Sequence, residues 1–94
     1  MAGLSVVIPA LNEAGSLPLL LGDLHSWPGS LQILICDGGS DDATAVAARL
    51  AGATVLSCPQ PGRGQQLCFG MRHACHAWLL VLHADSRLSP QWTQ

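Results

Sequence analysis

The sequence contains no lysine. Its fixed positive charge is four arginines, Arg49, Arg63, Arg72 and Arg87, against six acidic residues, for a formal net charge of −2. Such a chain lacks the basic surface that nucleic-acid binding needs, so no nucleic-acid partner is expected. A phosphate ligand stays open, because one arginine and a few backbone N–H groups suffice to hold it. Charged residues are only 11% of the 94, and 49% are apolar. That balance excludes a disordered chain and is poor in charge for the surface of a free-standing domain. No apolar run approaches the ~20 residues that a membrane-spanning helix needs. Internal repeats, linkers and low-complexity stretches are missing as well. Met1-Ala2-Gly3 has no basic segment and leads straight into a strand pattern, so no secretory leader is expected. Two phosphate-binding fingerprints are absent: a loop ending in Gly-Lys-Ser/Thr, and a fully spaced Gly-x-Gly-x-x-Gly after a strand. The four cysteines, Cys36, Cys58, Cys68 and Cys75, read as reduced thiols of a cytosolic chain, the buried ones acting as small hydrophobes; one disulfide pair stays open.

What is present is an alternation of strand and helix patterns. Residues 4–8 form a short β-branched run stopped by Pro9. Residues 16–26 place Leu17, Leu20, Leu21 and Leu24 at helical spacing, with Ser16 as cap, Pro18 in the first turn and Trp27-Pro28-Gly29 as the stop. Residues 31–36 predict a second strand. A second helix is predicted from a cap at Ser40 or Asp41 to about Leu50, closed by Gly52. Residues 53–57 predict a third strand, 58–62 a loop, 65–77 a third helix and 78–82 a fourth strand. Strands joined by short helical crossovers predict an α/β fold: a Rossmann-like parallel sheet with helices on both faces. Four strands and three helices leave a sheet edge unpaired and apolar area uncovered. Residues 1–94 are therefore expected to be the N-terminal part of a longer protein.

Polar residues gather where the strands end. Ligands of open α/β sheets bind outside the carboxyl ends of the strands, so Glu13, Asp37 and Asp85 are expected on a common rim. At residues 9–13, Pro9 turns the chain and Asn12 and Glu13 present hydrogen-bonding groups; a plain strand-to-helix turn accounts for them equally. In Asp37-Gly38-Gly39-Ser40-Asp41-Asp42 the glycines permit close backbone approach or positive φ. Asp41 and Asp42 suit the start of the next helix. Asp37 comes too early to cap it and is suited to accept from a nucleobase N–H or a ribose hydroxyl. Gly62-Arg63-Gly64 puts Arg63 at a helix N-terminus, where N–H groups already favour anions; alone, the tripeptide reads more simply as a solvated loop. The apolar run from Trp78 to Leu82 ends in His83-Ala84-Asp85. Asp85 is suited to a hard divalent cation bridging diphosphate oxygens, or to capping the turn toward Ser89-Pro90. Cys68, His73, Cys75 and His76 read as helix surface and core and not as a zinc site, because neighbours on a helix diverge. His25 reads as a solvated or interface histidine.

Together, Ser5-Val6-Val7-Ile8-Pro9-Ala10-Leu11-Asn12-Glu13, Cys36-Asp37-Gly38-Gly39-Ser40-Asp41-Asp42-Ala43-Thr44, Gly62-Arg63-Gly64 and Leu82-His83-Ala84-Asp85-Ser86 resemble, in this order and spacing, the N-terminal half of family 2 glycosyltransferases. The likeness covers essentially the whole chain. With Gln66 after the arginine loop, His83-Ala84-Asp85-Ser86 is similar to a bacterial, glycosyltransferase 2-like branch. The resemblance implies the nucleotide-binding half of a GT-A fold. It implies transfer of a sugar from a nucleotide-diphosphosugar donor, a UDP-sugar first, to an acceptor hydroxyl. It implies a nucleotide pocket lined at Pro9, Ala10, Asn12, Glu13, Gly38 and Ala84, with Asp37 on the base and Arg63 beside the nucleotide. Asp85 would hold Mg²⁺ or Mn²⁺ on the diphosphate. Two positions depart from the pattern. His83, a softer ligand, replaces the first acid of the metal motif, and Cys68 stands where Asn is frequent. The catalytic base has no counterpart here, so no catalytic residue is assigned and these residues alone are expected to be inactive. The implied location is cytoplasmic, with peripheral attachment at the inner membrane face open if the acceptor is lipid-linked. Two other readings stay open. One is a sugar nucleotidyltransferase, although Leu11-Asn12-Glu13-Ala14-Gly15-Ser16 replaces its Gly-rich basic signature. The other is a non-catalytic nucleotide-binding or interaction module.

Overall fold

Among the described residues of this computed structural model, 2–59 and 62–94, four apolar segments pair into one parallel sheet. Met1, Gln60 and Pro61 lie outside the described residues, so the loop expected across residues 58–62 is seen only at its ends. In chain order the elements are β1 (Leu4–Ala10), α1 (Leu17–Leu24), β2 (Leu31–Asp37), α2 (Thr44–Leu50), β3 (Thr54–Ser57), α3 (Arg63–His73) and β4 (Trp78–Val81). The strand order is β3-β2-β1-β4. The first two crossovers step the chain to one side, and the third carries it back past β1. Under the right-handed crossover rule that reversal places α3 on the face opposite α1 and α2. The result is the doubly wound α/β arrangement that the alternating pattern predicts.

The strand period of two separates the two faces. Val6, Ile8, Ile33 and Ile35 face one side, where Leu17, Leu20, Leu21 and Leu24 of α1 close over them, all buried. The helical spacing of those leucines is what lets one helix cover that face. Val7, Leu34 and Cys36 face the other side, against Leu56, Leu67 and Ala74. Here α3 comes close through Gly70: a Cβ at that position would fall on Cys36 Sγ and 2.6 Å from Val7 Cγ1. Beyond β4 the chain runs without helix or strand to Gln94 and packs on the α1 face. Trp92 stacks on Trp27, ring centroids 5.7 Å apart, and its indole N–H donates to Asp23 O (3.0 Å) and Ser26 Oγ (2.8 Å). The hydrogen bond from Arg87, then that from the Leu88 N–H, hold the Asp23 carboxyl at about 2, below the ordinary 3.8.

Element ends differ from the sequence expectation, each for a local reason. β1 does not stop at Pro9; it continues to Ala10, with Pro9 opposite Cys36 and Ala10 opposite Asp37. β4 ends earlier, at Val81 opposite Val7, so the missing N–H of Pro9 faces past the end of that neighbour and breaks no ladder bond. Leu82 follows the strand, its N–H donating to Val7 O at 3.2 Å. Ser16 precedes α1 without capping it through its side chain, and its hydroxyl instead donates to Glu13 Oε2 at 2.9 Å. The second helix starts at Thr44, later than a cap at Ser40 or Asp41 would set it. Its end is as expected. Gly52 takes φ +88, its N–H donates to Arg49 O, and the Ala53 N–H donates to Ala48 O, closing a Schellman motif. α3 ends at His73, short of Ala77, because Ala74 turns extended and the Cys75 and His76 N–H groups donate to Gln32 Oε1 and Ser5 Oγ.

Candidate functional site

The strand order reverses at β1, which β2 flanks on one side and β4 on the other. Such a switch leaves a crevice outside the carboxyl ends of the strands. A cleft of about 640 Å³ lies there. The end of β1 and its continuation supply Pro9, Ala10, Leu11 and Glu13; the end of β2 supplies Gly38. The start of α3 supplies Gly62, Arg63 and Gln66, and the end of β4 supplies His83, Ala84 and Asp85.

Hydrogen bonds between loops build its wall. Asn12 adopts φ +54, a conformation asparagine tolerates better than most residues. Its N–H donates to Ser40 Oγ (2.9 Å), and its Oδ1 accepts from the Asp41 N–H (2.8 Å). The Glu13 N–H donates to Oγ1 of buried Thr44 (2.8 Å), and the Ala14 N–H to Asp42 Oδ2 (3.3 Å). The loops after β1 and β2 thus form one unit. Asp42 also accepts the Thr44 N–H (2.9 Å) and the Thr44 hydroxyl. The Thr44 hydroxyl, with the N–H groups of Thr44 and Ala14, holds the Asp42 carboxyl below its usual range. Asp42 therefore serves the helix start as expected. Asp41 and Ser40 do not: the first donates its N–H to Asn12, and the hydroxyl of the second is shared between Asn12 and Asp37.

Seven of the nine residues expected at the site line this cleft: Pro9, Ala10, Glu13, Gly38, Arg63, Ala84 and Asp85. Asn12 does not line it; it ties the loops after β1 and β2 together. Asp37 lies just before Gly38, and its carboxylate accepts the Ser40 N–H (3.3 Å) and the Ser40 hydroxyl across a turn made possible by Gly39 at φ +99. As expected, it does not cap the next helix, which starts at Thr44; it closes this turn instead. Gln66 has a role beyond marking a resemblance. It is buried, and its Nε2 donates to Cys36 O (2.7 Å) and Ala10 O (3.1 Å), tying α3 to the ends of β1 and β2. Gly38 fits against it: a Cβ there would sit 3.1 Å from the Gln66 amide. Leu11, Gly62 and His83, which stand inside the motifs read from the sequence, line the cleft as well.

Arg63 opens α3, whose free N–H groups carry the positive end of the helix dipole. Glu13 and Asp85 come from the β1 and β4 tips. Among the described residues no three of His, Cys, Asp and Glu are grouped to hold a metal. A cation at Asp85 would therefore draw its other ligands from a bound molecule and water. Hard divalent cations accept that arrangement, taking one or two carboxylates plus phosphate oxygens, so the donor set fits. On α3, His73 Nδ1 lies 2.8 Å from Phe69 O. His25 is engaged in tying α1 to α2, its Nε2 lying 2.8 Å from Ala51 O. Burial, with Cys58 nearby, pushes the Cys36 thiol up to about 11. Among the described residues no helix is long and apolar enough to cross a membrane.

Comparison with known proteins places this geometry. An uncharacterized glycosyltransferase of Mycobacterium tuberculosis (strain ATCC 25618 / H37Rv) is 37% identical over 90 residues, covering 94% of this chain and 40% of that protein. The crystal structure of mannosyl-3-phosphoglycerate synthase from Rubrobacter xylanophilus superposes with a TM-score of 0.86 at 27% identity, over 96% of this chain and 33% of that one. Glucosyl-3-phosphoglycerate synthase from Mycobacterium tuberculosis, solved with Mn²⁺, uridine diphosphate and glucosyl-3-phosphoglycerate, superposes at 0.81 and 23% identity, over 92% and 36%. The chain thus spans well under half the length of these relatives. The model of Glycosyl transferase family 2 matches residues 5–94. The chain belongs to that family and carries its GT-A type of α/β fold.

Proposed function

We propose that this chain forms the donor-binding part of a glycosyltransferase that moves a sugar from a nucleotide diphosphosugar, a UDP-sugar first, to an acceptor hydroxyl. The observation that carries the reading is the convergence of Glu13, Gly38, Arg63 and Asp85, from four segments, on one cleft at the switch point. Further support comes from the uridine diphosphate and Mn²⁺ bound by the M. tuberculosis neighbour. Arg63 and the first N–H groups of α3 would hold the diphosphate. Gly38, lacking a side chain, admits the nucleoside close to the backbone. Asp37 would accept an N–H from the base while Ser40 keeps its carboxylate oriented. Pro9, Ala10 and Ala84 would form the apolar floor, with Asn12 tying the loops after β1 and β2 together and Glu13 on the rim. Asp85 would hold Mg²⁺ or Mn²⁺, with His83 beside it. That cation would neutralise charge on the leaving diphosphate. We place the acceptor site and its general base outside residues 1–94, in the remainder of a longer protein.

Calorimetric titration of UDP, GDP and CDP, with and without Mn²⁺, tests this. UDP is expected to bind, more tightly with Mn²⁺, and a chelator should remove the gain. Asp85→Ala should abolish the Mn²⁺-dependent part. Asp37→Ala should weaken UDP about tenfold, the equivalent of about 1.4 kcal/mol. Folded variants that bind every nucleotide as the parent does would end the assignment. Incubated with UDP-sugars and Mn²⁺, the 94-residue chain should bind without turnover.

A further inference from the structure

We infer that Asp23, on α1 and outside the cleft, is the positioning residue for Asp85. This rests on the reading above, in which Asp85 faces the cation. Asp85 lies in a turn over residues 83–86, closed by the Ser86 N–H donating to His83 O at 3.0 Å. Upstream, the turn is tied to the sheet through the Leu82 N–H on Val7 O and through buried Ala84. Downstream no strand or helix follows, and the first fixed points are Arg87 and Leu88. One carboxylate binds both. Asp23 Oδ2 accepts Arg87 Nε–H at 2.8 Å and the Leu88 N–H at 3.0 Å, and Oδ1 accepts from Arg87 Nη2 at 3.1 Å. Such forked, charge-assisted bonds fix direction as well as distance. The Asp23 carbonyl also accepts the Trp92 indole N–H, extending the hold to the end of the chain. The turn is therefore a short span fastened to β1 at one side and to α1 at the other, with Asp85 between. Without the Asp23 carboxylate the downstream side keeps the packing of Leu88 and the Trp92 contacts but loses its hydrogen bonds nearest the turn, and the Asp85 carboxylate loses its fixed aim at the cleft. No local pattern in α1 marks this residue, because its partners lie 64 and 65 positions away.

Two measurements on the 94-residue chain test the inference. The first is amide hydrogen exchange without ligand. Asp23→Ala, and the milder Arg87→Ala at a side chain that is 59% exposed, should raise Ser86 N–H exchange about tenfold by local opening. The amides of Val7 and Ile35 should keep their protection. Unchanged Ser86 exchange in both variants overturns the inference. The second is UDP affinity with and without Mn²⁺. Residues that orient a metal ligand commonly set affinity by about 10–100-fold. Asp23→Ala should cut the Mn²⁺-dependent gain about tenfold, the low end of that range, and leave metal-free affinity unchanged. Asp23→Glu, which keeps the carboxylate, should restore part of it. Equal losses with and without Mn²⁺ would mark Asp23 as a stability residue only and overturn its positioning role. If Ser86 exchange rises in the variants while the parent chain shows no Mn²⁺-dependent gain, the hold on the turn stands and the donor-site reading falls.

Discussion

Gln66 buries a primary amide where two backbone carbonyls end their ladders. Its Nε2 satisfies Ala10 O and Cys36 O at the head of the cleft. Gln66→Ala removes the hydrogen bonds to Cys36 O and to Ala10 O, the second of which keeps the Gly38 N–H at 3.0 Å, and at about 0.5–1.5 kcal/mol for each bond should cost about 1–3 kcal/mol in urea unfolding. An unchanged midpoint would show that water replaces the amide. Cys36 makes a second, independent prediction. With its thiol pushed to about 11 by burial and then by Cys58, and no exposed surface, it should resist alkylation at pH 8, whereas exposed Cys68 and Cys75 react. Mass mapping after brief iodoacetamide treatment reads this directly, and early labelling of Cys36 would contradict it. At this scale the sequence is legible where chemistry follows an apolar run without delay. Glu13, Gly38 and Asp85 announce themselves by standing at strand tips. Gln66 and Asp23 do not, since their partners are 56 and 64 positions distant and any polar residue would satisfy the local pattern. Asp37 was legible as a carboxylate that does not cap the next helix, whereas its bond to Ser40 three residues on depends on the turn at Gly39.

Gly70 decides how closely α3 lies on the sheet. A methyl group there meets Cys36 Sγ and Val7 Cγ1, so Gly70→Ala must push the helix outward despite alanine's better helix propensity. Overpacking of this kind costs about 1–3 kcal/mol. Pairing the change with Cys36→Ala should return part of the loss. A double-mutant cycle by chemical denaturation measures that coupling, and strictly additive losses would place the strain elsewhere. The movement should also reach the cleft, because Arg63 and Gln66 ride on the same helix. Element centres were legible through period: the α1 leucines and the β-branched strands admit one reading each. Element ends were not. Alanine at 74 favours helix, yet the Cys75 and His76 N–H groups find Gln32 and Ser5, and that tertiary network overrides propensity. Pro9 misled in the other direction, since its missing N–H matters only if a neighbouring strand extends that far, which β4 does not.

At the scale of the whole molecule, Asp23 links acid stability to the course of the last residues. Its folded pKa, about 2, lies below the ordinary 3.8, so the folded state is favoured by the ionised form. That contribution is complete above the ordinary value and disappears as pH falls through the folded one. Thermal stability should therefore decline between about pH 4 and pH 2, and Asp23→Asn should flatten that part of the profile. The step should be modest, because Arg87 is largely exposed and solvent screens the pair. An identical acid profile in Asp23→Asn would exclude the pair as its source. The sheet's outer limit makes a larger prediction. The sequence implied an unpaired edge without saying which; the topology leaves β3 and β4 outermost. β4 is the more vulnerable. It carries no charged residue, and Trp78, Leu79 and Val81 are 65%, 40% and 45% exposed. Edge strands are normally guarded by lysine or proline, and this chain has no lysine at all. The 94-residue chain should accordingly self-associate as its concentration rises through the micromolar range, with sedimentation velocity reporting the shift. Leu79→Lys or Val81→Lys should suppress it by setting a charge on the exposed edge strand. Leu50→Lys on α2, at an equally apolar and even more exposed site, should not. Suppression by all three alike would assign the association to general hydrophobicity, and β4 would then have no special part in it.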